Sequence, residues 1–311
     1  MTVIAKSRPR SSFKSDVSGV ALLQVLLLGA IISLLAMRFT QTARDQIEIS
    51  QQLDSRLRAQ LSAYSVMNEV IFTQLSGTFL QQTPPSNLSF NNLDAMRINV
   101  FGQPVNWSLN AVVTMQDLSG LLPHRYPEHP FWKRILQRSS VSASAIEQYQ
   151  GGWKDFQDPD EKRWIVGGKE SGQLPSGQSY TNLPAQNDKI FNWIFSDDLK
   201  LRDRLAVISS VNAPYETNLL ASPRVLLEAL FDPLIAQEIA ILRDNLGASG
   251  GHVALRNLLP MEVDRASLAR NESNLKRIKV SVSNEFARWE ETRLIRFESG
   301  SSEPFVILLI N

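Results

Sequence analysis

Hydrophobic positions follow three regimes along this chain. Residues 20–37 form an almost unbroken apolar run that ends at Arg38. About 18 residues rising ~1.5 Å each nearly match the hydrocarbon core of a bilayer, so the run predicts a membrane-spanning helix. Beyond it Phe39, Ala43, Ile47, Leu53, Leu57, Leu61, Tyr64, Val70 and Ile71 recur at mostly helical intervals, with Arg44, Glu48, Arg56 and Arg58 between them. No proline interrupts this stretch before Pro84, which predicts one long helix over residues 20–80, apolar first and amphipathic later.

After the turn-rich residues 81–92 the period shortens to two. Residues 97–101, 105–109 and 111–115 predict an antiparallel meander. A helical pattern returns over residues 131–136, 188–194, 197–207, 224–230 and 234–246. Ser222-Pro223 predicts an N-cap with proline at the first helical position, and Gly247 a C-terminal stop. Residues 278–282, 294–297 and 305–310 read as strands that rejoin the sheet.

Charge orients the apolar run. Lys6, Arg8, Arg10 and Lys14 precede it against Asp16 alone, which places the N-terminus in the cytoplasm and the body on the other side. A secretory signal would end in a small-residue cleavage site, but Leu35-Ala36-Met37-Arg38-Phe39-Thr40 lacks an A-x-A pattern. A plain uncleaved anchor explains the hydropathy and leaves the placement of Gly19, directly before the run, unexplained.

Ser18-Gly19 followed by Val20-Ala21-Leu22-Leu23-Gln24-Val25-Leu26-Leu27-Leu28 resembles the signal of prepilins, which prepilin peptidase cuts just before the apolar segment. Most members of that superfamily carry glutamate at the fifth mature position, whereas this chain has Gln24. The K-type minor pseudopilins of type II secretion systems commonly lack that acid. Val112-Val113-Thr114-Met115-Gln116-Asp117-Leu118-Ser119-Gly120 is similar to their strand ending in an Asp-x-x-Gly turn, although Leu121-Leu122-Pro123 replaces the asparagine-rich continuation. Trp153-Lys154-Asp155-Phe156-Gln157-Asp158-Pro159-Asp160, Gly168-Lys169-Glu170 and Tyr180-Thr181-Asn182 resemble the family's aspartate-rich and Gly-x-Glu segments. Residues 218–227 resemble its asparagine-led segment, with Ala221 and Ser222 where threonine and alanine are usual.

The resemblance implies an α+β, pilin-like fold: a long N-terminal helix packed on an antiparallel sheet, with a large α-helical domain inserted into it. The expected organisation is a leader over residues 1–19, the helix over 20–80, a β region over 81–121, the helical insert over 122–274 and closing strands over 275–311. It further implies cleavage between Gly19 and Val20, N-methylation of Val20, and a role for Gln24 in assembly. The implied partners are prepilin peptidase, the I-, J- and H-type minor pseudopilins, the major pseudopilin, the inner-membrane secretion platform and the lipid bilayer. A single-pass inner-membrane protein with a periplasmic body, capping or initiating the pseudopilus, is the implied function. A membrane-anchored binding or scaffold protein outside any filament is the alternative, and removal of residues 1–19 separates the two.

Composition narrows the remaining chemistry. The 32 basic and 31 acidic residues leave a net charge of +1, too little field to attract nucleic acid. Cysteine is absent, which removes disulfides and thiolate sites. Gly247-Ala248-Ser249-Gly250-Gly251 matches the G-x-S-x-G string of serine hydrolases, but it follows a helix where a nucleophile elbow needs a strand. Gly167-Gly168-Lys169 lacks the earlier glycine and the following hydroxyl of a phosphate loop, so no enzyme is expected. His124, His129 and His252 fall in no zinc spacing and are expected on the surface or in loops. Asp155, Asp158, Asp160, Glu161 and Glu170 crowd hard oxygens together, which fits either a solvated acidic loop or a cation site. The resemblance implies calcium at that cluster.

Overall fold

The computed structural model describes residues 17–80, 98–160, 162–164, 182–188, 191, 194, 195, 198–298 and 302–310. The chain divides into two units, Met1–Leu57 with Glu285–Ala287, and Arg58–Asn284 with Arg288–Asn311. The described helical part of the first belongs to α1 (Val17–Leu80), whose residues 20–57 keep nearly every side chain exposed.

In the second unit α1 buries Ala59, Ala63, Met67, Val70 and Ile71, spaced four, four, three and one apart, so that one stripe of the helix is covered. Its cover is a five-stranded antiparallel sheet in the order β1 (Phe101–Ser108), β2 (Ala111–Asp117), β5 (Leu275–Ser283), β6 (Arg288–Phe297) and β7 (Phe305–Ile310). Trp107, Val113, Met115, Ile278, Val280, Val282 and Ile295 share a core with the α1 stripe. Strict alternation in β5 sends Ile278, Val280 and Val282 to that core while Arg277, Lys279 and Ser281 stay partly exposed. The Trp107 indole N–H donates to Glu69 Oε2 at 3.0 Å, which ties β1 to the helix.

The predicted meander is corrected at its start. One strand, β1, replaces the separate segments 97–101 and 105–109, and Leu109 belongs to the two-residue turn before β2. Residue 97 lies outside the described residues. Gly102 and Pro104 disguised the strand in sequence. Both are tolerated because β1 is an edge: Gly102 takes φ 79° beside an irregular register, and an edge strand can spare the N–H that Pro104 lacks.

Between β2 and β5 the chain builds a second core of its own. Its helices are α2 (Pro130–Arg138), α3 (Ala143–Gln157), α4 (Leu199–Val207), α5 (Arg224–Leu230), α6 (Pro233–Gly250) and α7 (His252–Leu258), with β3 (Leu122–Pro123) pairing parallel to β4 (Ser209–Ser210). Trp132, Trp153 and Phe191 meet edge to face at centroid distances of 4.9–5.5 Å. Phe131, Phe156, Phe195 and Phe231 enlarge the cluster, giving an insert of this length the separate core it needs.

One helix was missed and two predicted boundaries shift. The helix α3 was not foreseen, because Gly151-Gly152 interrupts it and each glycine costs about 1 kcal/mol in a helix interior. Burial of Ile146, Trp153 and Phe156 on one face outweighs that penalty. Pro223, not Ser222, is the N-cap of α5, and the Ser222 hydroxyl instead donates to the Asn218 carbonyl at 3.0 Å. Helix α6 runs past Gly247 to Gly250 and stops at Gly251, which packs so closely on Leu220 and Leu242 that a Cβ would lie 3.1–3.3 Å from them. The helix expected over residues 188–194 lies partly outside the described residues.

Candidate functional site

The residues expected to act in processing and assembly lie in α1. Gly19 falls in its first turn and Val20 and Gln24 follow; residues 1–16 of the expected leader lie outside the described residues. This helix is long and apolar enough to cross a membrane. The large apolar side chains from Val20 to Met37 are 48–67 % exposed, and a helix with this apolar surface is stable only in lipid or against other apolar helices. At the end of the run Thr40 and Thr42 donate their hydroxyls to the carbonyls of Ala36 and Arg38, at 2.9 and 3.0 Å. Such back-bonding satisfies a hydroxyl within the helix itself.

The acidic residues gather where α3 ends. Asp155 is fully buried in the last turn, and Asp158 caps the helix with its N–H on the Lys154 carbonyl. Asp155 Oδ1 accepts the Trp164 N–H at 2.8 Å, Lys154 Nζ sits 3.2 Å over the Trp164 ring, and Asp160 Oδ1 accepts the Lys162 N–H at 2.7 Å. From the same turn Gln157 accepts the Ala185 N–H at 3.0 Å, which brings the segment carrying Asn182 to this end of α3. Among the described residues of these two segments, Asp155 Oδ2, Asp158 Oδ1 and Asn182 Oδ1 are buried without a hydrogen bond.

Burial above all raises the Asp155 carboxyl from its ordinary value, the Trp164 N–H partly offsets this, and the charge of Asp160 adds to the rise. Asp158 is raised by burial first and then by Asp160 and Asp155. Buried hard oxygens that lack donors and repel one another have the chemistry of a hard-cation site. Among the described residues no three His, Asp or Glu side chains form a ready cluster. Glu161 and Glu170 lie outside them. Asn182 takes a φ of 48°, a conformation asparagine tolerates well.

Of the histidines expected on the surface or in loops, His124 and His129 do lie in a turn and a loop, but not at the surface. His124 and His129 are fully buried, and His252 is half-buried. His124 stacks edge-on against Phe191 at 4.1 Å, and its Nε2 lies 2.8 Å from Ser209 Oγ. Because the Ser209 hydroxyl donates to the Leu205 carbonyl, it accepts from His124 Nε2–H, leaving Nδ1 unprotonated and 3.6 Å from Asp188 Oδ1. Ser209, His124 and Asp188 thus meet in the order of a hydrolase triad, but the hydroxyl is buried and bound to the backbone, so it is not poised as a nucleophile. His129 caps α2 by accepting the Phe131 N–H at 3.3 Å on Nδ1. Burial pushes both imidazoles down to about 4. His252 is lowered by burial, then by Arg256 and Arg270. The apolar neighbourhood Leu121-Leu122-Pro123-His124 was the signal that could have placed His124 in the core.

No family model matches the chain, and no curated protein does. Among solved structures it is similar to one chain of the crystal structure of the GspK-GspI-GspJ complex from the enterotoxigenic Escherichia coli type 2 secretion system. The two chains share a fold. The TM-score is 0.54 at 18 % identity, with 86 % of this chain and 98 % of that one aligned. The part of this chain left unaligned is far shorter than the helical insert between β2 and β5, so the alignment takes in most of the insert. The likeness therefore bears out the α+β architecture of long N-terminal helix, antiparallel sheet and inserted helices as a whole.

Proposed function

We propose that this chain is a K-type minor pseudopilin that initiates and caps the type II secretion pseudopilus during export of folded proteins across the outer membrane. The observation that carries the reading is the fold match, which spans nearly all of a chain solved in a complex of three type 2 secretion proteins. The exposed apolar half of α1 supports it, since that surface suits a bilayer before assembly and neighbouring helices after it. The basic leader sets the N-terminus in the cytoplasm and the body in the periplasm. Prepilin peptidase then removes residues 1–19 and Val20 is methylated.

Gln24 sets the position in the fibre. An unpaired intramembrane acid costs about 2.5–3.5 kcal/mol, so it is tolerated where a partner terminus neutralises it. A first subunit has no earlier subunit to offer that terminus, and glutamine keeps hydrogen-bonding groups without the charge. The helical insert between β2 and β5 is the bulk that prevents further stacking at the tip. I-, J- and H-type minor pseudopilins are the neighbours, the major pseudopilin forms the shaft below, and the secretion platform feeds the fibre. The role is structural rather than enzymatic. Calcium held by Asp155, Asp158 and Asn182, with Glu161 and Glu170 as further donors and Asp160 as a nearby charge, stabilises the insert by mass action.

Site-specific crosslinking in isolated fibres tests the assignment. A photoreactive residue at an exposed position of α7, such as Asn257, is expected to give no adducts with the shaft subunit, while one on the exposed face of α1, such as Leu61, gives adducts with minor pseudopilins. Adducts distributed evenly along the shaft, or normal fibres and full secretion without this protein, would overturn it.

A further inference from the structure

The helical insert leaves the sheet at Asp117, the last residue of β2, and returns at Leu275, the first of β5. Both connections close on one carboxylate. Asp117 is fully buried, and it N-caps the 3-10 turn Leu118–Gly120. Its Oδ1 accepts the Ser119 N–H at 2.8 Å, the Ser119 hydroxyl at 2.8 Å and the Ser273 hydroxyl at 2.6 Å. Its Oδ2 accepts the Ser273 N–H at 2.9 Å and the Lys276 ammonium at 2.5 Å. Lys276, only 6 % exposed, also donates to Glu272 at 2.7 Å.

The middle of the insert is tied to the same place. The Asn218 N–H donates to the Ser119 carbonyl at 2.6 Å, and the Gln116 amide donates to the Ala221 carbonyl at 3.0 Å. Gly120 lies so close to the Ala221 carbonyl that a side chain there would collide with it. Departure, return and midpoint of the insert therefore meet within a few residues of Asp117.

Stability alone does not account for this arrangement. Removing two charges from water offsets most of their attraction, and apolar residues of similar volume often serve stability as well or better. What an apolar contact does not supply is direction. Five hydrogen bonds on two carboxylate oxygens, from both flanks of the insert, admit a narrow range of angles. We infer that Asp117 and Lys276 form an orientation lock that fixes the helical insert on the sheet, so that the two move as one body rather than as domains on a hinge. The inference goes beyond the tip reading and its test needs no fibre, so the two stand or fall separately.

The chain has no cysteine, so Gln103→Cys on β1 and Asn257→Cys on α7, both exposed, can carry a spin-label pair in the full chain in detergent. Pulsed distance measurement is expected to give one narrow distribution. Asp117→Asn should widen it by roughly twofold. The Asp117→Leu, Lys276→Met double variant, which removes the lone buried ammonium, should melt above Asp117→Leu alone and keep the wide distribution, which a purely stabilising ion pair would not do. Ser273→Ala, which deletes one bond and leaves the ion pair, should widen it less and decides the matter where the Asp117 variants do not fold. A broad native distribution, a native width in the double variant, or a native width in Ser273→Ala when the Asp117 variants fail to fold, would overturn the lock.

Discussion

The leucines, isoleucines and valines of residues 20–37 in α1 are 48–67 % exposed, whereas residues 59–71 of the same helix bury Ala59, Ala63, Met67, Val70 and Ile71 to 3 % or less. The more apolar segment is the exposed one. What distinguishes them is period and size. In the buried segment apolar residues are confined to one stripe, and two alanines in it let the helix axis approach the sheet closely. In the exposed segment apolar residues surround the helix, which suits an environment apolar on all sides. Hydrophobicity marks the solvent a segment prefers, and only its spacing marks a protein core.

The largest effect that can break this comparison comes from placing a charge in each half. Met67→Asp buries an unpaired carboxylate between helix and sheet and should destabilise the body by about 3–5 kcal/mol, read from denaturant unfolding by tryptophan fluorescence. Leu26→Asp should leave that unfolding midpoint unchanged and weaken retention in the membrane by about 2.5–3.5 kcal/mol, read by alkaline extraction. Equal loss of body stability in both would erase the distinction.

How much of this was legible follows the same line. The strand β5 and the helices α2 and α5 announced themselves because each has one clean period and no internal breaker, and β7 because it is an unbroken apolar run. Helix α3 stayed hidden behind Gly151-Gly152, and β1 behind Gly102 and Pro104, since local propensity spoke against a structure that tertiary burial and an edge position permit. The acidic segment was visible as composition, but no spacing rule could show that Asp155 turns inward while Asp160 stays out. The same holds for His124 and His129, whose burial depends on aromatic rings distant in sequence.

Those histidines supply the next effect. Both are held at about 4, below the ordinary 6.5, so the unfolded chain takes up protons between pH 6.5 and 4 that the fold does not. Stability is therefore full above pH 6.5 and is lost as pH falls toward 4, on the order of 3 kcal/mol per histidine at the lower end. Asp155 and Asp158, raised by burial, work in the opposite direction at the acid end. Thermal melts from pH 7 to pH 4.5 should fall steadily, and His129→Gln should flatten the fall. A flat native profile would contradict the burial of neutral imidazoles.

Calcium should act more weakly and with the same dependence on pH. At about a hundredfold over its dissociation constant it should stabilise the insert by about 2.7 kcal/mol, and less at low pH, where Asp155 and Asp158 hold protons. Asp155→Asn should abolish the shift. Identical melting with calcium and with chelator at pH 7 would show that Asp155 and Asp158 hold no cation. The smallest effect belongs to Gln24→Leu, which should change membrane retention by less than about 0.5 kcal/mol and leave secretion near the native level, as a position without a charged partner requires.

The central claim is that the exposed half of α1 is a processed assembly segment rather than a permanent plain anchor. Intact mass of the full protein, extracted from membranes of cells that carry prepilin peptidase, tests it most directly. A chain that begins at Val20 and carries one added methyl group, with Gly19→Leu left at full length, is the predicted result. A native chain that still begins at Met1, or one whose terminus lies within the folded body, would contradict the account.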